Sequence, residues 1–435
     1  MDIHYNTLVV LLGAALLGAN AGMVGCFTLL RRRALVGDAL AHAALPGLCL
    51  AFLLVGHRSL TAMLVGALAT GLAGVALMTF LRRATRTKDD AAMGTVRSVL
   101  FGLGIVLISF IQGRTAAGSK AGLDSYILGK TAGMLASDVE TFAVVSLGSL
   151  ACVLLLYKEF ELVSFDGDFA RVQGWPAASL DNLQMALAAV TTVIALPAVG
   201  AVMVAAMLIL PGAALRFWTD RLGTMLAGAA LLGAAIGAVG AVCSAQFSLL
   251  PAGPIIILVG TTAFLISMLV APRRGLLARA AAAAKFRSDR RRQQLLASLY
   301  DEAERSRQVR VWLDGDAVAR AHAWSASVRR RTFHDALVHG VVELRPDAAG
   351  RLFLRLTDGG RAEAVRVVRG RRLWEALLTE HPDQTGLFTS LDVAAVDQLI
   401  PRELLAPLEA RLRAAGRLPE LAVASTGRTA AEGPP

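Results

Sequence analysis

The chain has 435 residues, of which 55% are hydrophobic and 18% charged, with a mean hydropathy of +0.57 and a formal net charge of +11. The average hides two regimes, long apolar runs up to about Ala271 and a stretch rich in Arg, Glu and Asp from Arg273 onward. That division reads as a polytopic membrane domain followed by a soluble one, and because the basic residues gather in short loops, nucleic-acid binding is not needed to explain the charge.

Asp2 and the absence of Lys or Arg before the first apolar run argue against a cleaved signal peptide, so that run is expected to stay as an anchor. An apolar stretch near 20 residues spans roughly 30 Å of hydrocarbon. About nine candidates follow, near 7–30, 36–56, 59–81, 93–112, 139–157, 183–199, 201–217, 222–243 and 254–271. The sixth and seventh are one long run interrupted by Pro197 and Gly200, a broken pair or a re-entrant element. Arg31–Arg33, the basic stretch 82–88, Lys158, Arg171, Arg216, Arg221 and Arg273-Arg274 share one side if the spans alternate. The sparser set His57, Arg58, Arg114, Lys120 and Lys130 takes the other. The denser set is cytoplasmic by the positive-inside rule, which leaves the N-terminus outside and the tail inside.

The second span opens on Leu35-Val36-Gly37-Asp38-Ala39-Leu40-Ala41-His42. Residues four apart share a helix face, so Asp38 and His42 point the same way. An ionised side chain inside a bilayer is costly and marks function by default. Carboxylate and imidazole together suit Mn²⁺, Zn²⁺ or Fe²⁺. Read structurally instead, Asp38 is an edge residue paired with a nearby Arg and His42 a packed, hydrogen-bonded histidine. The membrane part has no intramembrane Arg apart from the borderline Arg97. The cysteines Cys26, Cys49, Cys152 and Cys243 all fall in apolar runs without a C-x-x-C pair, which fits neither a disulfide framework nor a zinc cluster. Gly129-Lys130-Thr131 resembles the end of a P-loop, but Asp124 stands where the motif needs Gly. With no other phosphate-cradling loop, the chain is not an ATP-hydrolysing enzyme by itself.

After the membrane part, a basic helical linker is expected over 273–292, an α/β unit over 293–420 and a disordered end over 421–435. Helices are expected near Leu295–Tyr300, from Asp314 as N-cap to Ala323, and from Ser325 to Gly340. Two strands, 341–344 and 352–356, follow, then helices over 360–378 and 391–414. Three helices and a β-hairpin make a winged-helix pattern. The overall expectation is an all-α polytopic membrane domain of about 8–9 transmembrane helices with a C-terminal cytoplasmic α/β winged-helix domain.

The stretch Arg31–Gly47 resembles the signature of the integral-membrane subunits of manganese/zinc/iron ABC importers. The likeness continues through Lys88–Gly94, Leu123–Gly129, Phe165–Ala170, Val199–Pro211 and Pro251–Pro254, in family order over residues 10–277. It implies that Asp38 and His42 line the transport path and hold the metal. It also implies that Phe165, Asp166, Asp168, Ala170 and Gly174 belong to the segment that docks on the ATPase. Implied partners are a separate ABC ATPase subunit in two copies, a second permease subunit, an extracytoplasmic metal-binding protein and the lipids of a bacterial inner membrane. No cofactor is held permanently, because Mn²⁺, Zn²⁺ or Fe²⁺ is cargo. The tail resembles iron-dependent repressors over Leu356–Glu375 and Val396–Leu404. There Arg371, Asp397 and Gln398 stand at that family's ligand positions, which leaves Glu375 as the residual metal ligand and argues against a working sensor. DNA is not an expected partner. A membrane-anchored metal-responsive regulator and a permease for an organic metal chelate are the competing readings.

Overall fold

A computed structural model describes residues 5–57, 59–114, 136–246, 252–308, 311–348, 350–380, 400 and 402–419. Arg58, the stretch 123–129, the triplet 129–131, Asp397, Gln398 and residues 421–435 lie outside the described residues. The chain divides into two compact units, Met1–Arg279 and Ala280–Pro435.

The first unit is helical throughout its described part. Its elements are α1 (Tyr5–Leu30), α2 (Val36–Val55), α3 (Leu60–Ala84), α4 (Asp89–Arg114), α5 (Ala136–Leu155), α6 (Tyr157–Phe165), α7 (Gly167–Val172), α8 (Ala177–Val199), α9 (Ala201–Leu215), α10 (Leu222–Gln246) and α11 (Ala252–Val270). Among the described residues, eight helices are long and apolar enough to cross a membrane. Only within helices can such runs satisfy every backbone group in lipid.

The seventh predicted span, 201–217, is the one that differs. Helix α9 has 15 residues, about 22 Å at 1.5 Å per residue and short of the hydrocarbon thickness. Pro197 lies in the last turn of α8, and Gly200 makes the break at φ 90° and ψ 155°, a conformation that residues with a Cβ avoid. Helix α8 starts beside the end of α1, where Asp181 meets Arg31. Helix α10 starts at that level too, with Cys26 Sγ 3.9 Å from the Met225 carbonyl. Short as it is, α9 therefore brings the chain back from the far end of α8.

Small residues let the backbones touch, as membrane helices require in place of a hydrophobic drive. A Cβ on Gly18 would lie 2.1 Å from the Gly233 carbonyl oxygen, and one on Gly22 would lie 2.2 Å from that of Ala229. Gly237 meets the Ala14 carbonyl in the same way. Rising numbers on α1 thus meet falling numbers on α10, and the two run antiparallel. Gly47 of α2 and Gly66 of α3 form a second close crossing. Helix α2 lies in the middle of the unit, packed against α3, α4, α8 and α9, and most of its side chains are buried.

The second unit begins within α12 (Leu276–Ser306), followed by β1 (Leu313–Asp314), α13 (Gly315–Ala321), α14 (Ala326–Val338), β2 (Val342–Pro346), β3 (Leu352–Leu356), α15 (Asp358–Glu380) and α16 (Arg402–Ala414). The expected linker over 273–292 is not a separate segment. It and the first tail helix are one continuous helix, because no Gly or Pro interrupts Leu276–Ser306 and Ala is the strongest helix former. Asp314 caps α13 by accepting from the Asp316 amide at 2.9 Å, and Gly340 closes α14 at φ 66°. The sheet has a third strand that alternation could not reveal in two residues. Its order is β1-β3-β2, antiparallel throughout, with Leu354 opposite both Leu313 and Leu344. Leu295, Leu296, Leu299, Val318, Phe333 and Leu354 form the core beneath it.

Candidate functional site

Asp38 lies in the first turn of α2, where the helix dipole favours a negative charge. His42 is one turn on, buried, with its ring edge-on to Phe101 of α4 at 4.8 Å between centroids. Its Nδ1 is 2.8 Å from the Asp38 carbonyl oxygen and 3.4 Å from Asp38 Oδ1. A carbonyl has no proton to give, so Nδ1 is the donor in this contact, and in a neutral ring the lone pair then sits on Nε2. The two residues thus share a face as the spacing predicts. The structure adds a third participant. Arg97 of α4 places Nη1 2.6 Å from Asp38 Oδ2. Among the described residues, no three His, Cys, Asp or Glu side chains gather as a metal-binding group. Among the described residues of one copy, Asp38 and His42 thus stand as a pair, with no third such side chain gathered beside them.

A second ionic cluster sits at the ends of α1, α3 and α8 and the start of α4. Asp181, 4% exposed, takes Arg33 Nη1 at 2.8 and 3.0 Å on its two oxygens. Arg31 Nη2 reaches it at 2.8 Å and Arg82 Nη2 at 3.4 Å. Asp89 holds Arg33 Nε at 2.8 Å and Arg82 Nε at 3.3 Å. Burial alone would pull the Arg33 guanidinium down, but Asp181 and Asp89 outweigh it and hold Arg33 above its ordinary value. Charge counting along the sequence treats Arg31–Arg33 and Arg82 as loop charges that set orientation and gives Asp181 no role. One signal was there: Asp181 heads an apolar helix with no Lys or Arg within four positions to pair with it.

The segment 165–174, which the resemblance assigns to ATPase docking, contains a short helix over Gly167–Val172. Asp166 caps the six-residue α7 by accepting from the Phe169 amide at 2.9 Å. Gly174, at φ 84°, ends it, and the Trp175 amide returns to the Ala170 carbonyl at 3.0 Å. Ala170 is fully buried and anchors the turn. Asp168 pairs with Arg171 in solvent. The exposed face is apolar: Phe165, Phe169, Val172 and Trp175 are all uncovered, Val172 at 86%. Arg31 ties this segment to the ionic cluster, since its Nη1 donates to the Val163 carbonyl at 2.5 Å while its Nη2 holds Asp181. A cleft of about 430 Å³ lies between them, lined by Arg31, Arg82, Arg83, Asp166, Arg171 and Asp181 among others.

In the tail, Glu375 lies 3.2 Å from Arg417 and 3.8 Å from Arg371. Arg371, at the resembled ligand position, is itself held by Asp301 at 2.9 and 3.0 Å. Arginines thus take the carboxylates that a metal would need.

A family model described as the ABC 3 transport family matches residues 4–271. Over 97% of its length the chain is 35% identical to the manganese transport system membrane protein MntC of Bacillus subtilis, covering 95% of that protein. Over 63% it is 40% identical to the zinc transport system membrane protein TroC of Treponema pallidum, covering 91% of it. Among solved structures, PsaBC from Streptococcus pneumoniae in complex with Fab matches with a TM-score of 0.55 and 30% identity, over 62% of this chain and 94% of that one. Coverage of 97% takes in the tail as well as the helical unit.

Proposed function

The chain belongs to the ABC 3 transport family, and from that premise we propose that it is the membrane permease subunit of an importer for a divalent transition metal, driven by a separate ATPase. The observation that carries the reading is the Asp38–His42 pair on the central helix α2, a carboxylate and an imidazole one turn apart on one face. Oxygen and nitrogen ligands without thiolate suit an ion that must also be released. Mn²⁺, Zn²⁺ and Fe²⁺ all accept such a set, and the names of the relatives weigh toward the first two. A second permease copy would bring a second Asp–His pair to a shared axis. An extracytoplasmic binding protein would deliver the ion.

The α6–α7 segment would dock on the ATPase. Its exposed Phe165, Phe169, Val172 and Trp175 form the kind of apolar patch that a partner covers, and Asp168 and Arg171 supply a polar rim. Movement of that segment would rock the bundle between inward- and outward-open states. The basic loops would face the cytoplasm, with the N-terminus outside. The tail would be a winged-helix regulatory or dimerisation module, its order helix–strand–helix–helix–strand–strand fitting that pattern. The arginines on Glu375 speak against metal sensing there.

The test is metal accumulation in bacterial cells lacking their own importer, comparing wild type with Asp38→Ala and His42→Ala. Both variants are expected to lose most Mn²⁺ or Zn²⁺ uptake while reaching the membrane in normal amounts. Unchanged uptake of both metals in both variants would overturn the site.

A further inference from the structure

We propose that Arg97 is a resident counter-cation of the transport site. With no metal present its guanidinium holds the Asp38 carboxylate, and an arriving metal ion has to displace it. The proposal rests on the reading of Asp38 and His42 as metal ligands and concerns how tightly that site binds and how readily it lets go.

The geometry supports exchange rather than permanent fixation. Arg97 meets Asp38 through one close contact, Nη1 to Oδ2 at 2.6 Å. Arg33, itself buried, instead spreads three contacts over the carboxylates of Asp89 and Asp181. The Arg97 side chain is 48% exposed and that of Asp38 20%, so the guanidinium can swing away without repacking the core. Its helix is held at its foot, because Asp89, two turns earlier, is tied to Arg33 and Arg82. The movable group is therefore the side chain. Phe101, one turn on along the same face of α4, is 39% exposed as well.

The chemistry makes the two cations exclusive. A divalent ion on Asp38 Oδ2 would lie within a few ångströms of the guanidinium, and like charges at that range repel strongly in a poorly screened site. A competitor tethered to the same bundle acts at an effective concentration in the millimolar range or above. It therefore lowers metal affinity without blocking entry, and its return to Asp38 helps expel the ion. It also leaves no bare carboxylate in the bilayer between cycles, which is where an unpaired Asp is costly.

The test uses the full-length chain assembled with its ATPase subunit in lipid nanodiscs, with Mn²⁺ alone as probe, binding being read by equilibrium dialysis. Arg97→Gln is expected to bind Mn²⁺ about tenfold more tightly than wild type, a typical coupling between two ligands of one site. Arg97→Lys, which keeps the charge, is expected to stay close to wild type. In transport, Arg97→Gln should lower both the half-saturating Mn²⁺ concentration and the maximal rate, whereas mere structural damage lowers the rate without tightening binding. Where Arg97→Gln does not assemble, Arg97→Met keeps the bulk of the stem and should tighten binding in the same way. Unchanged or weaker Mn²⁺ binding in the neutral variant overturns the proposal. Wild-type binding by Asp38→Asn would overturn the underlying site instead, so the two failures can be told apart.

Discussion

Two ionic clusters in the helical unit use the same residue types in opposite ways. Asp181 is buried and engaged by three arginines, with Asp89 bridging two of them. Asp38 is partly exposed, with one arginine contact and a histidine at 3.4 Å. The difference is saturation. A buried carboxylate whose oxygens all have donors is fixed, because losing any partner strands a charge. A carboxylate with a single exposed partner can trade it for another cation. The first cluster ties together the ends of α1, α3, α4 and α8, and the second lies one or two turns inside, on the central helix.

The comparison breaks most visibly at Asp181. Asp181→Ala leaves buried Arg33 without its main counter-charge, and the loss of a buried pair costs about 3–5 kcal/mol. Thermal unfolding in detergent should show a large drop, and little protein should reach the membrane. A modest shift there would mean that water or Asp89 compensates, and that the cluster is not the clamp described. Next in size is the apolar face of α7. Val172→Asp or Phe169→Asp should leave the fold intact, since both side chains are exposed, yet weaken ATPase association about tenfold or more, as loss of a packed interface residue does. Unaltered co-purification of the ATPase with both variants would place the docking surface elsewhere.

The smallest effect is expected in the tail, where Glu304 meets Arg372 but is itself partly exposed. The hydrogen bond from Arg372 holds the Glu304 carboxyl below its ordinary value of 4.5. A depressed carboxyl stabilises the fold above the unfolded value and loses that contribution as the pH falls through the folded one. Glu304→Gln should therefore cost no more than about 1 kcal/mol at neutral pH. The gap from wild type should close below pH 4.5, as unfolding curves across pH would show. A gap that persisted in acid would point to packing rather than charge.

The sequence carried much of this. Apolar runs near 20 residues marked the long helices, and four-residue spacing placed Asp38 and His42 on one face. The capped helices and the hairpin of the tail followed from Asp314, Gly340 and the alternating strands. What could not be read were contacts between distant segments. Arg97 lies 59 positions from Asp38, and Asp181 lies 148 from Arg33. Charge counting saw the arginines only as a sum on one side of the membrane. The break at Pro197 and Gly200 was legible, but the length of the helix after it was not, because hydropathy continues through Gly200 to Leu215 while the backbone turns. Nor was β1, whose two residues carry no periodicity.

The most direct test compares the two aspartates in one preparation. Asp38→Asn and Asp181→Asn should be assembled with the ATPase, with thermal unfolding and Mn²⁺ transport in proteoliposomes measured side by side. Asp38→Asn is predicted to unfold close to the wild-type temperature and to transport almost no metal, while Asp181→Asn unfolds much earlier. An Asp38→Asn protein that transports at the wild-type rate, or that is as unstable as Asp181→Asn, would contradict the division of labour between the two clusters.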